Sequence, residues 1–147
     1  MIIGSKIKAG AGREDPNLTT GSKGSKKEIK CISLDTTNPL DDKTAIEQLK
    51  NNKNLFLMFL CRFRNQEILP LIKQLSTAFE KENWNKFREI AHSLKGSSGY
   101  VGAGRIQYDC FHIQDFHYKN EIAQMKLIYN RMIENVIDFI NFTKKYL

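Results

Sequence analysis

The sequence has few of the residues that stabilise small secreted proteins or bind structural metals. Its three cysteines, Cys31, Cys61 and Cys110, are far apart in the chain and form no CxxC pair. An odd number of scattered cysteines argues against both a disulfide framework and a zinc site. We therefore expect free thiols and a chain that works in a reducing compartment, the cytoplasm or the nucleus.

Long hydrophobic segments are also missing. No run of about 18 apolar residues occurs, so the sequence predicts no membrane span. The apolar start, Met1 to Ile3, is too short for the hydrophobic region of a signal peptide. Apolar residues nevertheless make up 41% of the 147 residues, which is enough for the core of one domain.

The charge is positive but not concentrated. There are 23 Lys and Arg against 16 Asp and Glu, a formal net charge of +7. Such a charge is compatible with nucleic acid, an anionic membrane surface or an acidic protein as partner. No dense basic cluster with interleaved aromatics occurs, so the charge alone favours none of them. A basic helical-bundle module that binds nucleic acid or a membrane surface remains open as an alternative function.

Composition divides the chain into two parts. The stretch GSKIKAGAGREDPNLTTGSKGSKKEIK is rich in Gly, Ser, Thr and Lys and buries too little apolar surface to offset the entropy of ordering it. We predict a flexible basic leader or linker over residues 1–38 and a folded domain over residues 39–147. Whether IKCISLD, at the end of the leader, docks on the domain is open.

The folded part has a helical pattern throughout. Asp41 and Asp42 suit the start of a short helix, and apolar residues then recur at steps of three and four over residues 55–79. Pro70 lies inside this segment and should kink or divide the helix. Three further helices are predicted over about 84–100, 103–117 and 121–145. The pattern therefore predicts an all-α, antiparallel four-helix bundle with a short extra N-terminal helix.

One histidine stands out on the predicted helix 84–100. At about 100° per residue, the apolar stripe follows Phe87, and His92 lies about 140° from it, toward solvent. Gly96 and Gly99 follow close to the direction of His92, and Arg88 and Lys95 flank it. Glycine destabilises a helix interior by about 1 kcal/mol relative to alanine. Two glycines on this face therefore favour a surface that a partner approaches closely.

The segment AHSLKGSSGYVGA resembles the signature of histidine-containing phosphotransfer (HPt) domains, approximately A-H-x-L-K-G-x-[SA]-x-x-[LVI]-G-A. The matching positions are Ala91, His92, Leu94, Lys95, Gly96, Ser98, Gly102 and Ala103. The resemblance covers about residues 40–147. The pair Tyr100-Val101 departs from it, because many members have a smaller or polar residue followed by leucine.

The resemblance implies a phosphocarrier rather than an enzyme. His92 would accept a phosphoryl group from a receiver-domain aspartate or a kinase and pass it to another receiver. Lys95 would stabilise the phosphate, and Gly96 would give clearance to the receiver, with Gly99 and Arg88 beside it on the docking surface. The expected partners are response-regulator receiver domains and a sensor or hybrid histidine kinase, and the domain should be a monomer. No cofactor is expected in this chain, and magnesium is expected on the receiver.

Other readings of the same residues remain. The domain could be an adaptor that docks receivers without phosphotransfer. An enzyme with a phosphohistidine intermediate would need a second catalytic group or an ATP-binding region, and the sequence indicates neither. His112 and His117 lie five residues apart, about 140° around a helix, so they cannot form an i, i+4 metal pair. The sequence therefore predicts no metal site, and nucleic acid is not the expected partner.

Overall fold

A computed structural model describes residues 34–146, and every regular element within that range is helical. The elements are α1 (Asp42–Gln48), α2 (Lys53–Arg62), a π-helical segment (Phe63–Glu67), α3 (Ile68–Glu80), α4 (Trp84–Val101), α5 (Gly104–Tyr118), α6 (Ile122–Phe142) and a 3-10 segment (Thr143–Tyr146). The α2, π-helical and α3 segments form one continuous rod, so a short helix precedes four long ones. This confirms the predicted all-α bundle.

Short connections and local caps set the ends of these helices. The side chains of Asp41, Asn52 and Asn83 accept hydrogen bonds from backbone N–H groups in the first turns of α1, α2 and α4. Such side chains satisfy amide donors that have no partner inside the helix. Helix α4 ends at Gly102, whose φ of +86° is the left-handed conformation common at helix ends. Because connections of two or three residues join α3 to α4, α4 to α5 and α5 to α6, consecutive helices run antiparallel.

Pro70 is the third residue of α3, three positions after Glu67, the last residue of the π-helical segment. Proline has no N–H to donate, and its ring collides with the carbonyl group one turn earlier in a regular α-helix. A wider π turn removes this conflict. The backbone at Arg62, Phe63 and Ile68 remains in the right-handed helical region, so the rod continues. Pro70 therefore marks an interruption of the α-helix, as predicted, and a π turn accommodates it.

The core orients α4. The apolar stripe that the sequence predicts on this helix is buried, and it consists of Phe87, Ile90, Ala91, Leu94, Ser98 and Val101. Helices α3 and α5 pack against α4, and α6 packs against α5. With this stripe facing inward, the opposite side of α4 is left at the surface, and His92 lies there.

The predicted leader lies outside the described residues except for residues 34–38, and these contact the bundle. The guanidinium of Arg105 donates to the carbonyl oxygens of Thr36 and Thr37, at 2.9 and 2.7 Å. The backbone N–H of Asp35 donates to the carboxylate of Asp41 at 2.9 Å. The residues that directly precede α1 therefore lie against the start of α5. Within residues 34–146 no helix is long and apolar enough to span a membrane.

Candidate functional site

His92 lies in the middle of α4 with its side chain exposed, as the helical projection predicts. One ring nitrogen has a partner on the neighbouring helix, because Nε2 of Gln114 on α5 lies 2.9 Å from Nδ1 of His92. The hydrogen bond at Nδ1 thus orients the imidazole, and Nε2 of the ring is the nitrogen left available to a partner protein.

The amide of Gln114 can present either of its two atoms to the ring. With its nitrogen facing Nδ1, the amide donates, and the proton of the neutral ring is on Nε2. After a half-turn of the amide, its oxygen accepts from Nδ1–H, and Nε2 has the free lone pair. Among the described residues, Oε1 of Gln114 is the buried side-chain polar atom that lacks a partner. Rotation of the amide would give this oxygen a donor and make Nε2 the nucleophilic nitrogen.

Lys95 supplies a positive charge one turn after His92. Its side chain is half-buried, and Nζ lies 5.8 Å from the centre of the Phe111 ring on α5. This is a cation–π distance. No ion pair with Lys95 is formed within residues 34–146, so its charge is not neutralised by a carboxylate there.

Gly96 borders open space. A Cβ built on this residue has no atom of the described residues within 4 Å. Beside it, a groove of about 300 Å³ runs between α4 and the α2 rod, lined by Phe59, Arg62, Glu67, Gly96, Ser97, Tyr100 and Val101. The ring of Tyr100 packs against Phe59, with centroids 5.1 Å apart, so the residue that departs from the family pattern forms one wall of this groove.

Gly99 lies elsewhere than the projection indicates. It is buried, and a Cβ there would collide with the side-chain amide of Gln107 on α5. The expectation that Gly99 opens the surface beside His92 is therefore wrong, because a projection of α4 alone does not contain the helix that packs over this residue. Arg88 is half-buried, one turn before His92, and its part in docking stays a prediction.

The other two histidines have structural surroundings. Nε2 of His117 lies 3.1 Å from Oδ1 of Asn85, which joins the C-terminal part of α5 to the first turn of α4. The ring of His112 meets that of Tyr108 edge-on and stacks on Phe116. In the range 34–146 no group of three or more His, Cys, Asp or Glu side chains is placed to hold a metal ion.

Gln114 and Phe111 are the site residues that the sequence reasoning missed. Helices α4 and α5 are antiparallel and separated only by Gly102 and Ala103, so residues at equal distances from this turn face each other. The observed pairs follow that rule: 92 with 114, 95 with 111, and 99 with 107. A signal was therefore present in the sequence, as the length of the connection fixes which residues of α5 lie beside His92.

Comparison with known proteins identifies the domain. The chain matches no curated protein and no solved structure. The family model of the Hpt domain matches residues 65–136, which run from the π-helical segment into α6 and include His92, Lys95, Gly96 and Gln114. Hpt domains are phosphocarriers rather than kinases, and they act in histidine phosphotransfer within phosphorelays. An all-helical bundle with an exposed histidine on a central helix agrees with this match, and residues 65–136 of the chain belong to the Hpt domain family.

Proposed function

We propose that this domain accepts a phosphoryl group on Nε2 of His92 from a receiver-domain aspartate, or from a kinase, and transfers it to another receiver. One observation carries the proposal: the imidazole is exposed, its Nδ1 is held by Gln114, and the surface one turn further along α4 is open at Gly96. This arrangement leaves Nε2 accessible to the active site of another protein.

The transfer step needs no proton acceptor in this chain. In the reactive tautomer the lone pair of Nε2 attacks the phosphorus of the aspartyl phosphate, and the Nε2–P bond forms. The P–O bond to the aspartate breaks, and its electron pair remains on the carboxylate. Nδ1 keeps its proton throughout, so the phosphorylated ring is cationic. The oxygen of Gln114, turned toward Nδ1–H, accepts a hydrogen bond that strengthens as this charge develops.

Lys95 and Gly96 assist in different ways. The phosphoryl group carries about −1.5 to −2 charges, and the Lys95 ammonium, three residues after His92, is within reach of it along the helix. Gly96 has no steric role within residues 34–146, since a Cβ there meets no atom of that part of the chain within 4 Å. A residue that weakens the helix without an internal reason is explained by an external one, the approach of a receiver. Magnesium belongs to that receiver, where it neutralises the transferring group.

The test mixes the full chain with a phosphorylated receiver domain and magnesium, and follows an acid-labile, base-stable phosphate on the chain. His92→Gln is expected to abolish this phosphate. His117→Gln is the matched control, because it removes another histidine from the same helix pair and should leave transfer intact. Transfer that persists in His92→Gln would refute the assignment.

The same assay separates the alternatives. An adaptor would bind the receiver in both variants and acquire phosphate in neither. A basic binding module would bind nucleic acid or anionic vesicles with an affinity that falls steeply with salt and does not respond to His92→Gln.

A further inference from the structure

The ammonium of Lys95 rests on α5. It lies 5.8 Å from the centre of the Phe111 ring, and Phe111 is 45% exposed. The ring therefore lies at the surface, where the ammonium can leave it without moving the core.

This contact competes with the direction that the helix of Lys95 favours for its side chain. Side chains in an α-helix incline toward the N-terminus, so an unrestrained lysine at position 95 would extend over the turn that contains His92. Phe111 instead faces Lys95 across the contact between α4 and α5, one turn from the Gln114 that faces His92. The ammonium thus has two places available, the ring of Phe111 and the surroundings of His92.

We propose that Phe111 is a positioning residue for Lys95. Its ring holds the ammonium while His92 is unphosphorylated and releases it to the phosphoryl group once His92 carries one. This inference rests on the proposed phosphotransfer at His92, and it adds a residue that sets how strongly the phosphorylated state is stabilised.

Magnitudes support an exchange between the two places. A cation–π contact at an exposed site favours the bound arrangement by about two- to five-fold. A charge-assisted hydrogen bond to a phosphoryl oxygen favours its arrangement by about tenfold or more. The ammonium therefore prefers the phosphoryl group to the ring. Because it must give up its contact with Phe111, the net stabilisation of the phosphohistidine by Lys95 is smaller. A phosphohistidine stabilised less strongly passes its phosphoryl group on more readily, which suits a relay.

The first measurement tests the contact without any phosphorylation. NMR of the full chain should show a ring-current shift of the Lys95 ε-protons, retained in Phe111→Tyr and lost in Phe111→Leu. Tyr118→Leu is the matched control, since Tyr118 is another exposed aromatic on α5, at 88% exposure, and no cation of residues 34–146 lies over its ring. An ε-proton shift that Phe111→Leu leaves unchanged would overturn the proposal at this step.

The second measurement tests the exchange. His92 is phosphorylated with phosphoramidate for the NMR measurement, and the equilibrium of phosphoryl exchange between the chain and a receiver domain is measured separately. The Lys95 shift should disappear on phosphorylation. Phe111→Leu should shift this exchange equilibrium toward the phosphorylated chain by about two- to five-fold, because the contact with the ring stabilises only the unphosphorylated chain. In a Lys95→Ala background the same Phe111 substitution should have no effect.

The outcomes separate this inference from the proposed function. If Phe111→Leu changes the exchange equilibrium equally with and without Lys95, or if the ring-current shift survives phosphorylation, Phe111 does not act through Lys95. Phosphotransfer at His92 would still stand in either case. If no phosphohistidine forms with phosphoramidate or with a receiver, the proposed function fails and the exchange fails with it, whatever the shift in the unphosphorylated chain shows.

Discussion

Gly96 differs from the other glycines of its helix in what surrounds it. Gly99 accommodates the side chain of Gln107, and Gly102 has a φ of +86° with the carbonyl oxygen of Asp41 only 2.5 Å from where a Cβ would be. Both therefore have a reason within the fold. Gly96 has no such reason in the part of the fold that the structure describes, and this contrast makes its position beside His92 informative.

Substitution by alanine should change the stability of the domain in opposite directions at Gly96 and Gly102. Gly96→Ala should stabilise the domain by about 0.5–1 kcal/mol, since the open space takes a methyl group and the helix gains a better former. Gly102→Ala should destabilise it by about 1–3 kcal/mol because of its left-handed backbone.

Gly96→Leu should keep the helix content yet slow transfer from a receiver about 10- to 100-fold. Circular dichroism, denaturation and transfer assays check these values, and an unchanged rate in Gly96→Leu would contradict the clearance role.

Gln114 should influence phosphorylation without affecting the fold. Gln114→Leu removes the partner of Nδ1 and should slow phosphorylation of His92 roughly tenfold, the effect of about 1.5 kcal/mol for a hydrogen bond to a charged ring. Gln114→Glu keeps an acceptor and should retain the rate. Nitrogen NMR of the imidazole reports the tautomer in each variant. Equal rates in the Leu and Glu variants would show that the amide does not orient the ring.

Residues on one helix were predictable, and those contributed by a neighbour were not. The exposure of His92 followed from a helical period, because Phe87 and the stripe after it fixed which side of α4 faces the core. Gln114 and Phe111 come from α5, and periodicity within a helix does not contain the register between two helices. The burial of Gly99 was missed for the same reason.

At the scale of elements, helix boundaries were predicted well where the signal is local. Asp41, Asn83 and Gly102 end or begin helices through their own conformations and side chains. The end of α6 depends instead on a distant residue. Arg64 of the π-helical segment donates to the carbonyl oxygen of Ile140 and to the hydroxyl of Thr143, at 2.9 and 2.8 Å. The α-helix therefore ends at Phe142, before the predicted 145, and a 3-10 turn follows.

A buried ion pair joins α5 to α6. The carboxylate of Asp109 is 1% exposed, and it accepts hydrogen bonds from the guanidinium of Arg131 and from the amide of Asn135. Burial raises the pKa of Asp109, although Arg131 and the hydrogen bonds act in the opposite direction. Arg131 itself is 42% exposed. The two partners are thus unequal, since only the acid depends on the other for its charge.

Replacement of Arg131 should lower the free energy of unfolding more than neutralisation of Asp109 does. Arg131→Met leaves a buried carboxylate with Asn135 alone and should destabilise the domain by about 3 kcal/mol, the lower end for a broken buried pair. Asp109→Asn leaves a neutral amide beside an arginine that water can reach, and about 1–2 kcal/mol is expected. Urea denaturation at neutral pH measures both. A larger loss in Asp109→Asn would contradict this picture of the pair.

The pH dependence follows from the same pair. The folded pKa of Asp109 lies above its unfolded value, so the stability that this group contributes is fully present below the unfolded pKa and is lost as pH rises through the folded pKa. In Arg131→Met the pKa of Asp109 in the folded domain should rise further, because the positive charge is gone. The loss of stability with rising pH should then extend to higher pH. The double variant with Asp109→Asn should lack this added dependence.

At the scale of the whole molecule, α1 connects parts of the chain that are far apart in sequence. The backbone N–H of Asp41 donates to the carbonyl oxygen of Gly102 at 2.7 Å. The hydroxyl of Tyr146 donates to the carboxylate of Asp42 at 2.8 Å, and its ring meets Phe56 edge-on. The bundle class could be predicted from repeating local patterns, but contacts across about a hundred residues leave no such pattern.

The contact at Tyr146 should appear in the alkaline stability of the domain. Burial, together with the neighbouring Asp42 carboxylate, raises the pKa of Tyr146 from 10.0 to about 12. The unfolded chain therefore loses this proton at lower pH than the folded chain, so the stability that Tyr146 contributes is complete below pH 10 and is lost between pH 10 and pH 12. Tyr146→Phe removes both the hydrogen bond and the ionisable group.

Denaturation of the wild type and of Tyr146→Phe at neutral pH and between pH 10 and pH 12 tests this contribution. The variant should be less stable at neutral pH, because Asp42 loses its donor, and the difference should narrow as pH rises. Tyr118→Phe is the control, since this tyrosine is 88% exposed and should behave as the wild type at every pH. A difference that stays constant up to pH 12 would mean that the hydroxyl of Tyr146 does not hold the C-terminal segment to α1, and that apolar packing of its ring against Phe56 does.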